Sequence, residues 1–174
     1  MFGVEPDMIV TAKGLGGGLY PISATLMTEH CQQVFDEDPF AHVSTMGGAE
    51  CGCVVAEKVL DICTRPAFLD NVRRVSQRMY ERMLLVQSRL PDDLLEVRRV
   101  GMFMGLKFNH DLGGMIMMKT SFEAGLLCWV AGHDRTVLQF LPPLLIDEAL
   151  ADEIVDRMTV AIERFHAIRG GSAA

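Results

Sequence analysis

The stretch DMIVTAKGLGGGLYPISATLM, Asp7 to Met27, constrains this chain more than any other. It runs a short apolar segment, MIVT at 8–11, into Lys13, crosses a glycine-rich turn and climbs into SATLMT at 23–28. Both segments read as strands, because β-branched and apolar residues suit a pleated, half-buried surface. The glycines between them let backbone approach another group closely, with no side chain in the way. A lone lysine at that approach is either a turn decoration or a reactive amine, and without further context the decoration is much the commoner. The strand and turn also come within the first eighteen residues, with no earlier element to pair with them, so the pattern implies missing structure upstream.

The rest alternates helix and strand, which places the chain in the α/β class. GAECGCVVAEKVLDIC from Gly48 reads as a helix apolar on most sides and therefore buried. Arg65 and Pro66 punctuate the chain. After them Phe68, Leu69, Val72, Val75, Met79, Met83 and Leu84 recur at helical spacing, giving a long amphipathic helix. Past Pro91, LLEVRRVGMFMGLKF gives two strands about a corner at Gly101, and a helix follows over roughly 115–124, closed by Gly125. LLCWV and TVLQFL are short strands; Asp147 and Glu148 open the last helix, where its dipole favours acid, and GGSAA reads as a frayed tail.

Composition excludes several classes of partner. A net charge of −7 argues against nucleic acid or an anionic membrane surface. The N-terminus lacks a signal-peptide pattern and no apolar run reaches spanning length, which points to a cytoplasmic protein. The five cysteines show no CxxC spacing, so they read as buried thiols, Cys51 and Cys53 among them as small apolar residues. The five histidines show no metal-ligand pairing, and MIMM at 115–118 reads as core or hinge packing.

Four motifs, in order, resemble those of the class III pyridoxal-phosphate aminotransferases, the ornithine, acetylornithine and omega-amine enzymes. PDMIVTAKGLGGGLYPISATL resembles the family's P-D-I/L-x-x-x-A/S-K lysine segment. HVSTMGGAECGCVVAEKVLDI is similar to its H-x-S/T-T-F/M-G-G segment, with Ala49 and Glu50 where Asn-Pro is usual. VRRVGMFMGLKF resembles V-R-G-x-G-L-M-x-G, and GLLCWVAGHDRTVLQFLPPL resembles the closing strand that ends in P-P-L. The resemblance implies the C-terminal part of a fold-type I transferase. Residues 1–62 would close the large cofactor domain and 63–174 would form the small C-terminal domain. It also implies a longer parent protein, of which this chain would start at an internal methionine. Upstream, the family places a phosphate loop, a ring-stacking aromatic residue and a D-E-V/I-Q aspartate, none of which precedes Lys13 here.

By the same resemblance, Lys13 carries pyridoxal 5'-phosphate as a Schiff base and afterwards moves a proton at the substrate carbon. Thr45 reaches the cofactor phosphate of a neighbouring subunit, which implies a homodimer with shared active sites. Read from the residues alone, Thr45 is an ST-turn or a helix N-cap, and the two roles can coexist with phosphate binding. Position 139 departs from the family. There an arginine forks onto the substrate carboxylate, whereas Gln139 offers neutral hydrogen bonds only. Arg135, in a loop beside Asp134, could return part of that charge, although a loop arginine of this kind is usually solvated. The substrates implied are an amine or amino-acid donor and a keto-acid acceptor. The alternative is a catalytically incompetent fragment that serves as a docking or structural piece, with bare strand edges and a tendency to associate.

Overall fold

A computed structural model describes residues 3–171 and divides the chain into two compact units, Met1–Arg65 and Pro66–Ala174. Among the described residues no helix is long and apolar enough to cross a membrane.

In the first unit, strands β1 (Met8–Thr11) and β2 (Ala24–Met27) pair antiparallel, with Met8 opposite Met27 and Thr11 opposite Ala24. Helix α1 (Glu29–Glu37) follows, and α2 (Glu50–Cys63) closes the unit. The sequence reading missed α1, although Cys31, Val34 and Phe35 recur along it at helical spacing; the helix is only nine residues long and buries none of them fully. It also put α2 in a core. Only Gly52 and Ala56 of α2 are buried, and Val54 and Leu60 are exposed. Within this unit α2 has little to cover it besides the glycine-rich turn. Cys51 and Cys53 are accordingly exposed, Cys31 and Cys63 half-buried, and Cys128 in the second unit is the one buried thiol among them.

The second unit begins on α3 (Pro66–Arg89), whose first residue is a proline, suited there because the missing N–H would have no helical partner. Strands β3 (Leu94–Val100) and β4 (Phe103–Phe108) form a hairpin about Gly101, which takes the left-handed conformation at φ +59°. Helix α4 (Gly113–Glu123), edge strand β5 (Trp129–Val130), strand β6 (Val137–Phe140) and helix α5 (Glu148–Gly171) complete it. The sheet order is β3-β4-β6-β5, every neighbour antiparallel. The helices cover one face. Val75, Met79, Met83 and Val86 of α3 meet Val155, Met158, Ile162 and Phe165 of α5 over Leu106, Phe108 and Leu138 of the sheet. Burial of each such side chain contributes roughly 1.5–3 kcal/mol. Met117 lies in this core while Met115 is exposed, so the methionine run of α4 packs with one face only.

Local chemistry sets the element ends. Helix α4 starts at Gly113, two residues before the sequence suggested, because its first turn lies against neighbouring chain. A Cβ on Gly114 would sit 2.4 Å from the Val137 carbonyl oxygen, and the Gly114 N–H donates to Arg135. The helix ends on Gly125 at φ +84°, where the Leu126 N–H donates back to the Ser121 carbonyl. Asp147 caps α5 by accepting from the Leu150 N–H at 2.8 Å. Gly170 and Gly171 remain helical, and 172–174 of the expected frayed tail lie outside the described residues.

Two charge networks tie α5 down. Arg74, Arg78 and Arg82, one helical turn apart on α3, meet Glu148, Asp152 and Asp156 on α5, with Arg78 forked onto Asp152 at 2.8 and 2.6 Å. Asp93, before β3, is 1% exposed; His166 Nδ1 lies 2.6 Å from its Oδ2, and Arg169 Nε 2.7 Å from its Oδ1. The Arg169 contact is an ion pair rather than an aligned hydrogen bond, since Oδ1 has no hydrogen-bond donor.

The Arg78 hydrogen bonds hold the Asp152 carboxyl at about 2, below its ordinary 3.8. A depressed folded-state value contributes stability that is fully present above the unfolded value and is lost as pH falls through the folded one. The second unit should therefore lose stability between about pH 4 and about pH 2. Asp152→Asn should lower the thermal midpoint by a few degrees at pH 7 and flatten that acid limb; calorimetry across pH 2–7 checks both.

Candidate functional site

Lys13 opens a 3-10 turn (Lys13–Gly16) on the connection between β1 and β2. Thr11 pairs with Ala24, so residues 12–23 form the connection, and backbone bonds from Leu15 to Ala12 and from Gly17 to Gly14 fold its first part into the turn. Lys13 itself takes φ +56°, the one described non-glycine residue with a left-handed backbone. Such a conformation costs a side-chain-bearing residue of the order of 1 kcal/mol or more and is concentrated at functional sites.

Small residues clamp this turn onto α2. Gly17, at φ +60°, approaches so closely that a Cβ would lie 2.9 Å from Val59 Cγ2, and a Cβ on Gly52 would lie 2.9 Å from the Tyr20 ring. The opposite side is open, since a Cβ on Gly14 or Gly18 would meet nothing within 4 Å. Lys13 is exposed, and among the described residues its ammonium has no ion-pair or hydrogen-bond partner. A braced turn therefore presents an unpaired amine beside two open glycines.

Thr45 lies in the turn that precedes α2, where the Gly47 N–H donates to Ser44 and Gly48 takes φ +66°. Its hydroxyl has no partner among the described residues. The N-cap of α2 is Ala49, with no side-chain cap bond. The cap reading of Thr45 is thus overturned, because the helix begins too far downstream for its oxygen to take the role. No hydrogen bond joins Lys13 to Thr45.

Gln139 belongs to the second unit, half-buried on the sheet face that carries no helices. Register puts Arg98 opposite Gly105, Gly105 opposite Gln139, and Gln139 opposite Trp129, one row across all four strands. Gln139 Nε2 donates to the Val130 carbonyl at 3.2 Å. A cleft of about 400 Å³ opens over this row, lined by Arg98, Phe103, Gly105, His133, Val137 and Gln139 among others. Arg135, weighed as a compensating charge, is exposed and does not line the cleft. Arg98 was missed, although the period-two alternation of β3 marks it. Val97 and Arg99 face the helices, so Glu96, Arg98 and Val100 face away. Arg99 confirms the alternation by stacking over the Tyr80 ring at 4.8 Å and bonding Gln77 of α3.

The chain matches the aminotransferase class-III family over residues 1–162. It is 43% identical over 171 residues to an uncharacterized aminotransferase of Archaeoglobus fulgidus, covering 94% of this chain and 39% of that protein. Over 160 residues it is 31% identical to ornithine aminotransferase 1 of Staphylococcus saprophyticus, covering 92% of this chain and 38% of that one. Among solved structures, ornithine delta-aminotransferase of Plasmodium falciparum superposes with TM-score 0.79 at 26% identity, over 94% of this chain and 42% of that one. Acetylornithine aminotransferase from Elizabethkingia anophelis superposes with TM-score 0.80 at 24% identity, over 92% and 42%. The chain thus spans about two fifths of the length of the relatives it matches. Its mixed α/β architecture is consistent with the C-terminal portion of a fold-type I transferase.

The clamp on the lysine turn is directly testable. Gly17→Ala adds a methyl against Val59 at a left-handed position and should destabilise the turn by roughly 1–3 kcal/mol. Gly14→Ala, which points into open space, should be close to neutral. Amide hydrogen exchange across Leu15–Tyr20 separates the two.

Proposed function

Since the chain belongs to the class-III aminotransferase family, we propose that it serves an enzyme moving an amino group from an amine or amino acid to a keto acid, with pyridoxal 5'-phosphate as cofactor. The observation that carries this reading is the Lys13 turn. Its unpaired amine, left-handed backbone and two open glycines fit a group that needs a covalent amine anchor and close backbone approach. When bound, the cofactor supplies an aldehyde for amine capture and a ring that draws electrons from the adjacent carbon.

The chain's own residues have defined work on this reading. Lys13 Nζ would anchor the cofactor and, once released, would take a proton from the donor carbon that bears the amine and, in the return half of the cycle, deliver one to the carbonyl carbon of the keto acid. The turn holding Lys13 is braced by Gly17 on Val59, so the amine works from a fixed base. Thr45 would donate its hydroxyl to a phosphate oxygen, and Gly47 and Gly48 would leave that approach clear of side chains. Gln139 would offer a substrate neutral hydrogen bonds only. Residues 1–62 belong to the large cofactor domain and 63–174 to the small domain. A cytoplasmic homodimer with shared sites is part of the same proposal, carried by the family pattern alone.

One observation favours a second reading. Ile9, Val10 and Leu26 of the hairpin and Val54 of α2 are all exposed, a large apolar surface for so small a unit. In that reading the chain by itself is catalytically incompetent and acts as a docking or structural piece.

Borohydride reduction of the chain mixed with pyridoxal phosphate, followed by mass spectrometric mapping, decides between them. Stoichiometric labelling confined to Lys13, with a visible absorption band that Lys13→Ala abolishes, is expected for the first reading. Labelling scattered over Lys13, Lys58, Lys107 and Lys119 would establish the second.

A further inference from the structure

We propose that the cleft between α3 and α5 is a contact face for a second copy of this chain, the two copies related by a two-fold axis along the seam between the helices. All of it lies in the second unit and calls on none of the residues given a part in cofactor chemistry above.

The seam is a ladder of constant offset. Arg74 bonds Glu148, Arg78 bonds Asp152 and Arg82 bonds Asp156, each pair 74 residues apart. The two helices therefore run side by side in the same direction, with a basic wall on α3 and an acidic wall on α5. Two turns beyond Arg82 and Asp156, at the same offset, stand Arg89 and Glu163. This last rung is open. Both side chains are exposed and line one cleft of about 610 Å³, and among the described residues neither has an ion-pair or hydrogen-bond partner. Leading up to it the cleft is apolar, with Leu85 64% and Val160 42% exposed over the buried Val86 and Val155. The Ser88 and Thr159 hydroxyls donate back to carbonyls of their own helices, Leu85 and Val155, so they make no claim on a polar ligand.

That distribution selects the occupant. A basic wall and an acidic wall at equal height are complementary to a copy of themselves in one arrangement. Turned about an axis along the seam, a second copy lays its α3 over the first copy's α5. Arg89 of each copy then meets Glu163 of the other, and Leu85 of each packs on Val160 of the other. Turned about an axis across the seam, the arginine wall would meet its own kind and be repelled. A second copy thus supplies both missing counter-charges at once, which a uniformly basic or acidic partner does not. The contact spans about two helical turns. That is well below a standard interface, so the association is weak, with a dissociation constant in the micromolar range or above.

Sedimentation velocity of the full chain over a concentration series, at about 0.15 M ionic strength and without pyridoxal phosphate, measures this association. A monomer–dimer equilibrium is expected. Glu163→Arg sets like charges opposite each other at two places in the contact and should weaken it at least tenfold. Arg89→Glu should do the same, and the variant carrying both changes should recover most of the loss. Glu163→Arg lowers the net negative charge of the chain and Arg89→Glu raises it, so parallel losses in the two mark a local contact rather than bulk repulsion. Neither residue has a partner within its own chain, so thermal midpoints should match throughout, which separates a lost contact from a lost fold. No association, association indifferent to the single changes, or losses that the double variant fails to recover would each overturn the proposal. Association through the apolar residues left bare on the first unit, or through a dimer that shares cofactor sites, would be of the indifferent kind. Labelling of Lys13, read separately, bears on the cofactor alone.

Discussion

The one-sided burial of the second unit's sheet is the constraint on which the rest of that unit depends. Val75, Met79, Met83 and Val86 on α3, with the apolar stripe of α5, desolvate one face of β3, β4 and β6 and leave the other bare. Strand side chains alternate, so this choice divides every neighbouring pair: Val97 and Arg99 serve the core and its edge, whereas Glu96 and Arg98 face away. A one-residue slip in β3 would exchange those sets and bury two charges. Register is therefore specified by the cost of burying Arg98 as much as by the gain from burying Val97.

Close approach is the second organising device, and it recurs wherever helix meets turn. Gly17 against Val59, Gly52 against Tyr20 and Gly114 against the Val137 carbonyl all place backbone where a methyl group would collide. In the first unit this is nearly all the packing available, since a two-stranded ribbon and a half-bare helix bury little. The lysine turn is thus held by shape complementarity at glycine, with few apolar contacts beneath it.

How much was legible in the sequence followed from how much each element buries. Helix α3 announced itself because Val72, Val75, Met79 and Met83 repeat at helical spacing and meet a core. Helix α1 did not, because its nine residues carry only one short repeat, Cys31, Val34 and Phe35, in an otherwise polar segment. For α2, apolar composition was read as burial, yet composition records only that a face needs covering. The β1–β2 ribbon, the Gly101 corner and the Gly125 stop were legible from turn chemistry. Among site residues, Lys13 stood out through its glycine neighbours, but its left-handed backbone has no sequence signature because a lysine seldom adopts it. The Thr45 cap failed because only chain geometry shows where a helix starts. Arg98 was hidden by its twin, since two adjacent arginines look alike until the pleat separates them.

Asp93 also bears on how the polypeptide can be handled. Its side chain is almost wholly buried, and the two groups beside it, the His166 imidazole and the Arg169 guanidinium, come from the last turns of α5. The final helix is therefore fastened at its far end by charge, in addition to its apolar stripe. Trimming the C-terminus back past Arg169 and His166 would leave the buried Asp93 side chain without the two groups that now face it. The last cut that keeps this fastening intact therefore falls after Arg169.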